Sequence, residues 1–212
     1  MANVNAPGGL SPVQYRSANS WNGSLRLYYI PSTDTNAYAI GDPVKSLTGA
    51  ASANGIPSVT LATAGAGNAI RGVIMSAGTG LGSNSAALVA GTGFYDPNAL
   101  GSVIIPATKT QGYFVGVLDD PDCLYEVQSF SGTGSTPFTS VDIGKNVNLK
   151  AGANNGYVSG WVIDDTAVSA TTSTYQLKLI QLVQRKDNAF GAYARYLVQI
   201  NQHELNSPTA GV

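Results

Sequence analysis

Apolar and polar residues alternate over short runs along this chain, and each run is bounded by Gly, Pro, Asn or Asp. A period of two places one side of a segment on a core and the other in solvent, as strands require, and helical spacing is almost absent. The pattern predicts strands at 25–30, 37–40 with 44–47, 57–61, 69–76, 86–90, 102–105, 112–118, 123–130, 145–149, 156–163, 174–184 and 192–201. The expected fold class is all-β: an antiparallel β-sandwich or jelly-roll, or small β-barrel lobes, with an extended N-terminal arm.

Residues 1–22 form the expected arm, where Leu10, Val13, Tyr15 and Trp21 are set among Pro7, Gly8, Gly9 and Pro12. Such a segment cannot fold alone, yet carries too many large apolar groups for a solvated tail, so it docks on a neighbouring chain or on its own domain. These four side chains are candidates for a partner interface. Beyond the arm, a β-rich lobe over 23–110 is expected, then a second lobe or a continuation of the same sandwich over 111–205, then a tail over 206–212. An internal echo favours two lobes. IGDPVKSLTG (40–49) and IGKNVNLKAG (143–152) share Ile, Gly, Val and Gly at equal spacing, and AIRGVIM (69–75) resembles YVSGWVI (157–163).

Charge changes the picture. Only 11% of the 212 residues are Asp, Glu, Lys or Arg and the net charge is −1, against about 25% charged residues in an ordinary soluble domain. A surface of small neutral polar groups has little colloidal repulsion, so association with other copies or partners is expected. The 11 basic residues are scattered singly, with no stripe to meet phosphates, so nucleic acid is not an expected partner. No apolar run approaches the length of a membrane span, and the N-terminus lacks the basic start and apolar centre of a secretory signal. Cys123 is the only cysteine, which excludes an intrachain disulfide and predicts a buried or half-buried free thiol.

Candidate chemistry concentrates in LDDPDCLYEVQ (118–128), which holds Asp119, Asp120, Asp122 and Glu126. A calcium loop needs a glycine at its sharp turn and oxygen ligands at fixed spacing, and this stretch has neither. Asp before Pro121 favours a turn between two strands, with Asp119, Asp120 and Asp122 forming an acidic tip able to meet a basic patch on a partner. The single histidine, His203, lacks a nucleophile elbow to serve, because no G-x-S-x-G occurs. The glycine-rich strings at 65–70, 78–83 and 131–135 lack the helix and the Lys-Ser/Thr ending of a phosphate loop. No catalytic residue, metal ligand or cofactor is therefore expected.

Taken together, MANVNAPGGLSPV, YYIPSTDTNAYAIGDPVK, GYFVGVLDDPDCLYEVQ and DNAFGAYARYLVQINQHEL make the chain resemble the small structural proteins of tailed bacteriophages that decorate or cement the capsid. That resemblance implies a protein assembled in the host cytoplasm and bound to the capsid exterior as a dimer or trimer, clamping neighbouring major capsid protein subunits. It implies no enzymatic activity and transfers no catalytic residues. Two other readings stay open: another virion part (tail, fibre or head-tail joining protein), and a carbohydrate-binding β-sandwich using Trp21, Tyr28, Tyr29 or Trp161 as stacking platforms.

Overall fold

A computed structural model describes residues 3–51, 55–77, 105–110, 112–155 and 157–211. It is all-β, with strands β1 (Ser11–Tyr15), β2 (Arg26–Ile30), β3 (Pro43–Ala51), β4 (Pro57–Leu61), β5 (Gly72–Ala77), β6 (Tyr113–Leu118), β7 (Cys123–Gln128), β8 (Asn146–Lys150), β9 (Val162–Ser169), β10 (Leu177–Leu182) and β11 (Arg195–Ile200). One turn of 3-10 helix, Ser140–Asp142, precedes β8. The strands expected at 86–90 and over most of 102–105 lie outside the described residues; Ile105 is described and bridges Tyr38.

The strands form two sheets, a closed barrel in the order β2-β4-β3-β5-β6 and a six-stranded sheet in the order β1-β7-β11-β10-β8-β9. The second sheet also curls round on itself. Ser129, just past β7, makes a parallel bridge to Ile163 on β9, and the Phe130 N–H donates to the Ile163 carbonyl at 2.8 Å. The strands β7 to β11 thus make a second, more loosely closed barrel, with β1 added outside β7.

The two barrels repeat one plan. In each, the first strand runs parallel to the third, and the second pairs with the third and fourth, the fourth with the fifth, and the fifth with the first, all antiparallel. Hydrogen bonds repeat as well. Gly41 N–H donates to the Ile74 carbonyl as Gly144 N–H does to that of Leu179, both at 2.8 Å, and Ile74 N–H donates to Asp42 as Leu179 N–H does to Lys145. Gly41 and Gly144 have φ of 93° and 91°, a left-handed turn that strongly favours glycine and starts β3 and β8 alike. In β2 and β6, Tyr28 faces Val115 and Ile30 faces Tyr113; in β7 and β11, Tyr125 faces Val198 and Val127 faces Tyr196. Bulges recur at Ile74/Ser76 and Leu179/Gln181. The β10–β11 pairing is slid along, so that Leu179 faces Val198 where the first barrel's pattern would put Ile200.

The echo of 40–49 in 143–152 therefore falls on corresponding strands, β3 and β8. The echo of 69–75 in 157–163 does not, because it compares β5 with the approach to β9, the counterpart of β4. Strand β9 also begins and ends later than the alternation predicts. Its run continues through Asp164 and Asp165, and Asp165, 3% exposed, accepts a 2.6 Å hydrogen bond from Ser135 Oγ on one oxygen, which offsets part of the burial of its carboxylate.

Two apolar cores result. The first barrel encloses Tyr28, Ile30, Tyr38, Val44, Val59, Ile74, Val115 and Val117. The second core is larger because it continues across the seam between the barrels. Ala62, Ile70, Val73 and Leu118 from the first barrel pack with Tyr125, Val147, Ile163, Leu177 and Val198 from the second, and Leu10 from the arm joins them. Within the first barrel, Lys109 is held by the carbonyls of Asp34 and Asn36 at 2.7 and 2.6 Å and by the Asp34 carboxylate at 3.3 Å, so this buried cation is paired.

Candidate functional site: a charged seam between the barrels

Of the residues singled out for their chemistry, Asp119 and His203 come together around Arg71 at the seam. Strand β6 ends at Leu118 and delivers Asp119 to its edge, next to Tyr28 and Arg26 on β2 and Arg71 just ahead of β5. Asp119 Oδ2 accepts from the Tyr28 hydroxyl at 2.7 Å and lies 3.0 Å from Arg26 Nη1 and 3.7 Å from Arg71 Nη2. Arg71 Nε donates to the same Tyr28 hydroxyl at 2.7 Å, and its guanidinium stands 5.4 Å from the ring centre. Burial first, and the Asp119 carboxylate second, raise the Tyr28 phenol above its ordinary value, so it stays a donor across the physiological range.

From the other barrel, the segment after β11 reaches the same arginine. Residues 202–204 lie alongside Ile70: Ile70 N–H donates to the Gln202 carbonyl at 2.8 Å and Glu204 N–H to the Ile70 carbonyl at 3.0 Å. Glu204 accepts from the backbone N–H of Ser46 at 2.8 Å and from the Ser46 hydroxyl, and its carboxylate is 3.9 Å from Arg71. His203 is 3% exposed, and its Nδ1 accepts the Leu205 N–H at 3.0 Å. Burial, then the charge of Arg71, lowers its basicity. An open cavity of about 300 Å³ lies beside this network, bordered by Tyr15, Leu25, Arg26, Asp119, Asp120 and Leu205.

The acidic tip does not act as one group. Asp119 turns inward and is 9% exposed. Asp120 makes the turn, its Oδ1 accepting the Asp122 N–H at 2.8 Å and its carbonyl the Cys123 N–H at 3.2 Å. Asp122 pairs with Arg16 at 3.3 Å, both more than half exposed. Glu126 faces Arg185 and Arg195 at 3.0 and 3.2 Å. Each carboxylate has a separate partner, and no three His, Cys, Asp or Glu side chains among the described residues are arranged to hold a metal ion. Cys123 is fully buried, and burial pushes its thiol up to about 12, so it is an inert apolar filler.

This division gives a direct test within one turn. Asp119→Asn removes the charge that two arginines and a phenol share at a largely buried position on the cavity's border, and an expected loss of about 2 kcal/mol follows. Asp122→Asn breaks only an exposed pair worth about 0–1 kcal/mol. Denaturant unfolding of the two variants should separate them; equally small losses would return Asp119 to a solvated tip with Asp122.

The arm residues divide too. Leu10 is fully buried in the chain's own core, with its N–H on the Gly41 carbonyl at 3.0 Å, so its side chain has no surface to offer a partner. Tyr15 and Trp21 are half-buried against that core, and Val13, 43% exposed, is the arm candidate that remains outside. The arm packs on its own domain because β1 pairs with β7 and because side-chain amides tie down residues before it. Asn3 bonds Ala189 and Ala192, and Gln128 bonds Asn5 and Ala6.

Sequence reading missed Arg71 and Gln176. Gln176, fully buried, joins the barrels with its side chain: Oε1 accepts from Gly65 and Leu149, and Nε2 donates to the carbonyls of Thr63 and Asn68. Arg71 lies in the AIRGVIM echo and Gln176 in the strand expected at 174–184, but no local pattern marks a side chain whose partners are all distant in sequence. Comparison of this chain with protein-family models, with curated proteins and with solved structures finds no match to any of them.

Proposed function

We propose that this protein is a structural component of a tailed-bacteriophage virion that decorates or cements the capsid, clamping neighbouring major capsid protein subunits from the shell's exterior as a dimer or trimer. The observation that carries the reading is where the scarce charge goes. Asp34, Asp119, Glu126 and Glu204 are each engaged with cations, hydroxyls or backbone groups of their own chain. These four acids thus serve cohesion, and the exposed surface carries few charges alongside apolar side chains such as Val13, Leu25, Val141 and Leu205. Such a surface suits many modest contacts repeated over a shell, which add up by mass action because binding assembled capsid and not free subunits favours the closed shell.

A sugar-binding role is less well supported, since of its four stacking platforms Tyr28 and Trp161 are 1% and 3% exposed and cannot stack on a ligand, which leaves the half-buried Trp21 and Tyr29. The test is to purify virions that encode this chain, detect it by mass spectrometry and place it by cryo-microscopy. The expected result is many copies on the outside of the head. Absence from particles ends the proposal, and a position in the tail or at the head-tail joint replaces it with the other virion role.

A further inference from the structure

We propose that His203 is an acid-released latch on the seam between the two barrels: protonating its imidazole loosens the pairing of residues 202–204 with Ile70. This proposal rests on the geometry of the seam and not on the virion reading, so either can fail without the other.

His203 is the only histidine of the chain and is placed where the second barrel's last strand crosses to the first. Its Nδ1 is an acceptor for the Leu205 N–H at 3.0 Å, which puts the single proton of the neutral ring on Nε2. Nε2 is buried with no hydrogen-bond partner among the described residues. A second proton must go to Nδ1, turning that acceptor into a donor opposite another donor, so the Leu205 N–H loses its partner and a cation is left in a dry place. The charged groups facing the ring come from three directions. Arg71, ahead of β5, opposes the added charge; Asp119 and Asp120, after β6, and the adjacent Glu204 favour it. Glu204 is already shared by Ser46 and Arg71, so it turns to the imidazolium only by releasing a contact across the seam, and Asp119 only by releasing Arg26, Arg71 or Tyr28 within the first barrel.

The sign follows from linkage. Burial and Arg71 lower the affinity of the folded ring for its proton, so the unfolded or opened chain binds that proton first. Stability contributed by neutral His203 is complete above the ordinary histidine value of about 6.5 and drains as pH falls below it. Asp42 and Asp165, whose carboxyls burial raises, act in the opposite sense and gain stability on acidification.

Because there is one histidine, its ring resonances titrate alone in an NMR experiment on the unaltered chain. The expected midpoint lies below 6.5, and the amides of Ile70 and Glu204 should exchange faster at pH 5.5 than in His203→Asn, by up to about tenfold. In that variant the Asn oxygen can accept the Leu205 N–H without titrating. The wild-type melting temperature should fall between pH 7.5 and 5.5 more steeply than the variant's. A midpoint at or above 6.5 overturns the latch whether or not the variant folds, and equal acid losses in the two proteins overturn it as well.

Discussion

Replacing Gln176 by Ala is expected to cost about 4 kcal/mol or more, enough to shift a urea unfolding midpoint far outside the scatter of ordinary surface variants. Its amide satisfies the N–H groups of Gly65 and Leu149 and the carbonyls of Thr63 and Asn68, at 2.9 to 3.2 Å. A backbone group left unpaired in a dry place costs about 1–3 kcal/mol, and a seam opened by truncation recovers part of that through water. Gln176→Glu refines the test because it preserves shape while turning the donor towards Thr63 and Asn68 into an acceptor. It should destabilise strongly although it leaves no void. If Glu is tolerated as well as Gln, the amide is filling space and the hydrogen-bond account is wrong.

Leu10→Ala should cost about 3 kcal/mol, within the range for emptying a fully buried leucine site. Deletion of residues 2–15 should cost more, since it also removes β1 from the edge of β7 and the amide ties from Asn3 and Asn5. Both outcomes are read by thermal and denaturant unfolding of the purified chain. An arm that served only a neighbour would give the opposite result, an unchanged melting transition and weakened association. Val13→Ala distinguishes the surface role from the core role, because its side chain is partly exposed and its loss should barely move stability.

A shared architecture explains why these effects are concentrated at the seam. Each barrel closes its own backbone ladder, but the apolar groups Ile70, Val73 and Leu118 on the outside of the first barrel are dry only when the second is in place. The contacts of Glu204 with Ser46 and Arg71 and the amide of Gln176 add directional ties across that seam.

Most strands were legible in the sequence because their residues answer to a local rule. LRLYYI alternates, and in β2 Tyr28 and Ile30 face inward while Arg26 does not. The left-handed glycines of IGDPV and IGKNV announce the same turn twice for a steric reason that holds wherever they stand. Strand β1 was hidden because SPVQY lies among glycines and prolines and becomes a strand only when β7 offers its edge. The continuation of β9 past Asp164 buries a carboxylate that the hydroxyl of Ser135 partly satisfies, a pairing the local sequence does not reveal. The site was least legible: Asp119 reads as one of three turn aspartates, and only the convergence of β2, the approach to β5 and the end of β6 makes it the buried partner of two arginines and a tyrosine. Local sterics and periodicity thus determine where this chain is extended and where it turns. Which polar side chains become internal ties was decided by the tertiary structure, because desolvation and pairing depend on neighbours brought from elsewhere in the chain.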